Sequence, residues 1–134
     1  MMYKIAALLV ALIFASPVTG DVLKDVDRML CVPGSVSHCV VDLDCKSELP
    51  EDENIPTFIE VDLKRKTLAT TEASGEGRLT SIKNVTHEAG NIYLQGVENG
   101  RGFSMVISEN TGDMTLVIAA NGETASMFGA CTPD

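Results

Sequence analysis

Residues 98–108 read ENGRGFSMVIS, residues 109–119 ENTGDMTLVIA and residues 120–130 ANGETASMFGA. In these three consecutive blocks of eleven, Asn99, Asn110 and Asn121 share one column and Met105, Leu116 and Met127 another. A strand of roughly six or seven residues followed by a four-residue turn has this period in any even meander. Asn99-Gly100 and Asn121-Gly122 are hairpin signals, because both central positions of a type I′ turn need positive φ. Glu109-Asn110-Thr111-Gly112 fits a longer turn with Gly112 in the left-handed region. Phe103, Met105, Ile107, then Met114, Leu116, Ile118, then Ala125, Met127, Gly129 would therefore line one buried face. Ile92, Leu94 and Gly96 extend that face backward at the same spacing. The repeat is expected to report consecutive antiparallel hairpins, with the asparagines as turn formers and not as ligands.

Upstream, Ile59, Val61 and Leu63 alternate with Glu60 and Asp62, and Lys64-Arg65-Lys66 makes a solvated turn into residues 67–71. Residues 79–86 and 91–97 read as further strands around a turn at His87-Glu88-Ala89-Gly90. Residues 31–55 carry Pro33-Gly34, Pro50 and many acids, and read as one short strand plus a long irregular segment. Val22, Val26, Met29 and Leu30 recur at helical spacing behind a candidate Asp21 cap, so a short N-terminal helix is expected over residues 21–30. Val106, Val117 and Phe128 make the second face of the sheet apolar as well, and that face needs cover, which the helix could supply. The expected fold is all-β: an antiparallel meander of seven to eight strands closed into a small barrel, with a flattened sandwich as the alternative.

The first residues, MMYKIAALLVALIFASPVTG, have one charge (Lys4), an apolar run and a small-residue end. This is the layout of a secretory signal peptide over residues 1–20, too short to span a membrane, with cleavage expected before Asp21. Residues 21–134 then form a single domain, periplasmic or secreted. The 134-residue chain has a formal charge of −9, and losing Lys4 with the leader makes it −10. Nucleic acid and anionic membrane surfaces are poor partners for such a chain, whereas a basic protein is favoured.

Cys31, Cys39, Cys45 and Cys131 form an even set in an exported chain, so disulfides are expected. Three connectivities are open. Cys31–Cys131 with Cys39–Cys45 is the favoured one, because the first bond would tie the two ends of the domain together. The rival use of Cys31, His38, Cys39 and Cys45 as a zinc site matches no common spacing, and adjacent His38 and Cys39 hamper tetrahedral coordination.

No catalytic constellation is legible, and no enzyme, cofactor or metal is expected. His38 and His87 sit in no nucleophile or metal motif, and His87 reads as an exposed turn residue. Ser74 lacks the glycine pattern of a nucleophile elbow. Asp42, Asp44, Glu48, Glu51, Asp52 and Glu53 lack the spacing of an EF-hand loop and read as a solvated acidic segment. A sugar-stacking cleft is disfavoured by the lack of Trp and the few aromatics. The inward Met, Leu, Ile and Phe columns look large enough to fill a small barrel, which argues against a small-ligand carrier. Arg101, flanked by Gly100 and Gly102, should project freely from its turn and is a candidate partner contact.

LQGVENGRGFSMVI (residues 94–107), TGDMT and the closing FGACTP resemble a group of small exported proteins of Gram-negative bacteria with a leader, a cysteine-rich N-terminal part and this ending. That resemblance implies a periplasmic address. The size, cysteines and β pattern are also similar to periplasmic inhibitors of c-type lysozyme, which are disulfide-tied β-barrels with a Ser-Gly-x-x-Tyr loop entering the enzyme. Ser74-Gly75-Glu76-Gly77 matches that loop up to Arg78, which stands where the tyrosine would be, and no Trp-x-Lys-Gly segment follows. This second resemblance implies Ser74, Gly75 and Arg78 as contacts and a basic hydrolase as target. The function expected is that of a non-catalytic interaction or binding module.

Overall fold

A computed structural model describes residues 20–74 and 77–134. All of the expected leader (residues 1–20) except Gly20, and Gly75 and Glu76 of the candidate loop, lie outside the described residues. The chain forms one antiparallel sheet curled into a half-barrel. Its strands are β1 (Arg28–Val40), β2 (Lys46–Glu48), β3 (Ile59–Asp62), β4 (Thr67–Thr70) and β5 (Leu79–Ser81), then β6 (Asn84–Glu88), β7 (Asn91–Glu98), β8 (Arg101–Ser108), β9 (Asp113–Ala120) and β10 (Glu123–Pro133). The order across the sheet is β5-β4-β3-β1-β10-β9-β8-β7-β6, with β2 pairing β1 beside β3. The edge strands β5 and β6 are consecutive in sequence, joined by Ile82 and Lys83, whose amides donate to Lys66 O and Gln95 O (both 2.8 Å).

Ten strands stand where seven to eight were expected. The segment 79–86 breaks at Ile82, which turns into the core, and residues 31–55 contribute two strands instead of one. The N-terminal helix is corrected too. Residues 22–25 form a turn, and Arg28, Met29 and Leu30 open β1. The helical spacing of four apolar residues gains little in a segment this short. Extended backbone instead lets Met29 and Cys31 alternate into the core and pair with β3 and β10.

The core is the face marked by the repeats. Ile92, Leu94, Met105, Ile107, Met114, Leu116 and Met127 are all buried, in register across four paired strands. On the opposite face of the sheet Val32 of β1, Val117 of β9 and Phe128 of β10 are exposed, Phe128 at 76%, and Val106 of β8 is half-buried. With residues 28–30 committed to β1, the cover expected from a helix is missing among the described residues.

Cys31 and Cys131 are directly opposed in the β1–β10 ladder and disulfide-bonded, and Cys39 bonds Cys45 across the β1–β2 connection. The favoured connectivity is thus the observed one, and it consumes the cysteines of the rival zinc set. Two disulfides fit an oxidising compartment. At the same end, Arg28 bonds Glu60 (2.6 Å) and Asp134 (3.0 Å). The Glu60 hydrogen bond, then the Asp134 charge, raise the pKa of its guanidinium.

Turn chemistry follows the glycines. Asn99 and Gly100 both have positive φ, as a type I′ turn requires, and so do Ala89 and Gly90. At Asn121-Gly122 only the glycine does, so this turn departs from the expected type I′. Gly112 has φ +79°, its carbonyl accepts the Cys131 amide at 2.7 Å, and a Cβ there would run into the Cys131 carbonyl oxygen. Gly112→Ala is therefore expected to cost about 2 kcal/mol, combining left-handed strain with overpacking. Gly100→Ala, at φ +74° in open space, should cost less. Equal denaturation midpoints for the two variants would refute the steric part.

Candidate functional site

Parity along the strands builds the site. The inward positions of β8 are Ile107, Met105 and Phe103, and the next in line is Arg101. Those of β7 end at Glu98, those of β9 at Ala120 and those of β10 at Glu123. The hairpins pair Glu98 with Arg101 and Ala120 with Glu123, so all four line up at one end of the half-barrel. Here the core opens. A cavity of about 160 Å³ is lined by apolar Ile59, Leu68, Phe103, Leu116 and Ile118, with His38, Glu53, Arg78, Glu98, Arg101 and Glu123 also on its walls.

The cavity exists because the inward columns thin toward this end. Met105, Ile107, Ile92 and Leu94 pack the interior fully, whereas Ala120 and Ala125 supply small side chains at the mouth. The expectation that these columns fill the barrel therefore holds only for its middle. Gly96 shapes one wall: it lies opposite Phe103, whose ring occupies the space a Cβ at residue 96 would take.

A bulge delivers His38 to the same rim. Met29, Cys31 and Pro33 point inward at odd positions, but the β1–β10 register slips by one between Pro33 and Val36. After the extra residue Val36 faces the core and His38 follows it at the mouth. Gly34 permits the bulge, since a Cβ there would stand 2.9 Å from Phe128 O. The Cys39–Cys45 bond then turns the chain back so that β2 pairs β1 with Val36 opposite Glu48. Pro50–Glu53 forms a 3-10 turn that returns Glu53 to His38.

The candidates read from sequence fare differently. Arg101 is the first residue of β8 and not part of the turn itself; it is exposed and lies on the cavity rim. Arg78 also lines the cavity, its guanidinium donating to Asn54 O at 2.8 Å. Ser74 is occupied structurally: its hydroxyl accepts the Phe58 amide (3.1 Å) and lies 3.3 Å from the Thr71 hydroxyl. Arg101 and Arg78 thus meet at one cavity, which Ser74 does not line. His87 lies in β6 and not in a turn, exposed, with Nδ1 3.2 Å from Glu109 Oε1. Both histidines face carboxylates, His38 those of Glu48, Glu53 and Glu123 and His87 that of Glu109.

Sequence reasoning missed the assembly of Glu48, Glu53, His38 and Glu123. Glu48 and Glu53 belonged to the acidic segment and His38 to a cysteine set; only the bulge and the 3-10 turn join them. No family model, curated protein or solved structure matches the chain.

Proposed function

We propose that this is a non-catalytic exported protein, periplasmic or secreted, that binds a basic protein partner by accepting one apolar side chain into the cavity at the open end of its half-barrel. The observation that carries this reading is the cavity itself, with its apolar walls and charged rim. A volume of about 160 Å³ resembles cavities that take a benzene-sized group. It is well below the roughly 300–1,000 Å³ of sites for larger ligands, which disfavours a lipid or cofactor carrier. A buried anchor surrounded by a polar rim is the usual energetic centre of a protein interface. Glu53, Glu98 and Glu123 at the rim and a charge of −9 favour a cationic partner.

Ala125 lines the cavity opposite His38 and two positions from Glu123, so Ala125→Trp should fill it while every charged group of the rim is kept. Pull-down from the source's exported fraction is expected to recover a partner with the wild type and to lose it with Ala125→Trp. Arg101→Ala should alter the yield several-fold, and raised salt should weaken capture. Identical partner lists for all three proteins would remove the cavity from the function. A c-type lysozyme is one basic protein the second resemblance points to. Turbidity assays with the wild type in large molar excess decide that case, and unimpeded lysis would end it.

A further inference from the structure

His38 is enclosed by carboxylates on both sides of its ring. Nδ1 lies 3.1 Å from Glu53 Oε1 and 3.8 Å from Glu48 Oε2, and Nε2 lies 3.3 Å from Glu123 Oε2. A neutral imidazole has a single N–H, so it can donate to only one of these sides. With the single N–H given to Glu123, the Nδ1 lone pair faces Glu48 and Glu53, an arrangement that a cation bound at Nδ1 would reconcile. The Nδ1 side has the donor set for a metal: Nδ1 and one oxygen from each of Glu48 and Glu53 lie within 4.8 Å of one another. Donors bound at about 2.0 Å around a tetrahedral ion stand roughly 3.3 Å apart, and 3.1 and 3.8 Å bracket that separation.

We propose that His38 Nδ1, Glu48 and Glu53 form a divalent-cation site selective for zinc-type ions over calcium and magnesium. The imidazole nitrogen sets the selectivity, because calcium and magnesium prefer all-oxygen shells. Glu123 acts from the other side of the ring: its carboxylate accepts a hydrogen bond from Nε2–H, fixes the tautomer that frees Nδ1 and orients the imidazole. The three donors are half-buried at 19–27% side-chain exposure, which separates them from the exposed Glu51 and Asp52 of the same 3-10 turn. They come from three elements, β1, β2 and the 3-10 turn, the first two tied by the Cys39–Cys45 bond. Lys46, opposite His38 in the β1–β2 ladder, is exposed and makes the nearest unfavourable charge in that ladder. Three protein donors leave a fourth tetrahedral position for water. The site adjoins the cavity but does not depend on the proposed partner.

The test is calorimetric titration of the disulfide-intact, chelator-treated protein with Zn²⁺ near pH 7. One equivalent should bind. His38→Gln and Glu53→Gln should each weaken binding by more than tenfold, Glu123→Gln by about tenfold, and Glu51→Gln should leave it unchanged. Excess Ca²⁺ should not compete. Equal weakening by Glu51→Gln and Glu53→Gln, or efficient competition by Ca²⁺, would reduce the site to a diffuse acidic surface and overturn it. Nitrogen-15 NMR of the wild type removes dependence on variant folding: Zn²⁺ should shift His38 Nδ1 while His87 stays put. A shift at His87 alone, or at neither ring, refutes the assignment.

Discussion

Replacing Cys31 and Cys131 together by alanine is expected to lower the thermal midpoint by roughly 15 °C. The bond spans a sequence separation of 100 residues. In the chain-entropy account, a loop that long restricts the unfolded chain by about 4.7 kcal/mol. For a domain of this size each kcal/mol shifts the midpoint by roughly 3–5 °C. Both cysteines are buried, so alanines would also leave a small void and push the loss upward. The matched control is Cys39→Ala with Cys45→Ala. That bond spans a separation of 6, and the same account gives about 2 kcal/mol. Thermal unfolding followed by circular dichroism without reductant compares them. Equal losses from both pairs would mean that local packing, not loop closure, governs the contribution.

Met105→Ala should be the most damaging single truncation in the sheet, at about 2–5 kcal/mol, while Phe128→Ser should stay within about 0.5 kcal/mol. Both residues are apolar and both occur in the repeated blocks. Met105 is fully buried on β8, flanked in register by Leu94 on β7 and Leu116 on β9. Its removal strips contacts from both neighbours, and paired strands cannot collapse to close the gap. Phe128 points away from the core at 76% exposure, so its truncation removes little buried area. Urea midpoints at unchanged slope give both values. A loss at Phe128 as large as at Met105 would show that the outer face is covered in solution, by a second copy or another partner.

That comparison also marks what could be read without coordinates. The period of eleven separates Met105, Leu116 and Met127 from Val106, Val117 and Phe128, because strand side chains alternate and the hairpins hold register. The core of β7 to β10, the left-handed Gly112 and the turn at Asn99-Gly100 all follow from local rules of this kind. Arg101 was within reach as well: counting back by twos from Met105 through Phe103 places it on the inward column. Its glycine neighbours suggested a turn instead, since local chemistry says nothing about which end of a barrel opens.

The N-terminal half resisted reading for a physical reason. Over residues 21–30 only Arg28, Met29 and Leu30 belong to β1, too few to show a strand alternation against the helical spacing of four apolar residues. Pairing with β3 and β10, which lie far away in sequence, selects the strand. The bulge between Pro33 and Val36 then inverts the parity of everything after it, so His38 and not Cys39 turns inward. By itself the sequence determined the class of fold and the buried face of its second half, because each depends on neighbours one to four residues away, and it left three pairings of four cysteines open. Only the tertiary structure decided the curl of the sheet, the cavity at its end and the gathering of His38, Glu48, Glu53 and Glu123, because each depends on register between strands distant along the chain.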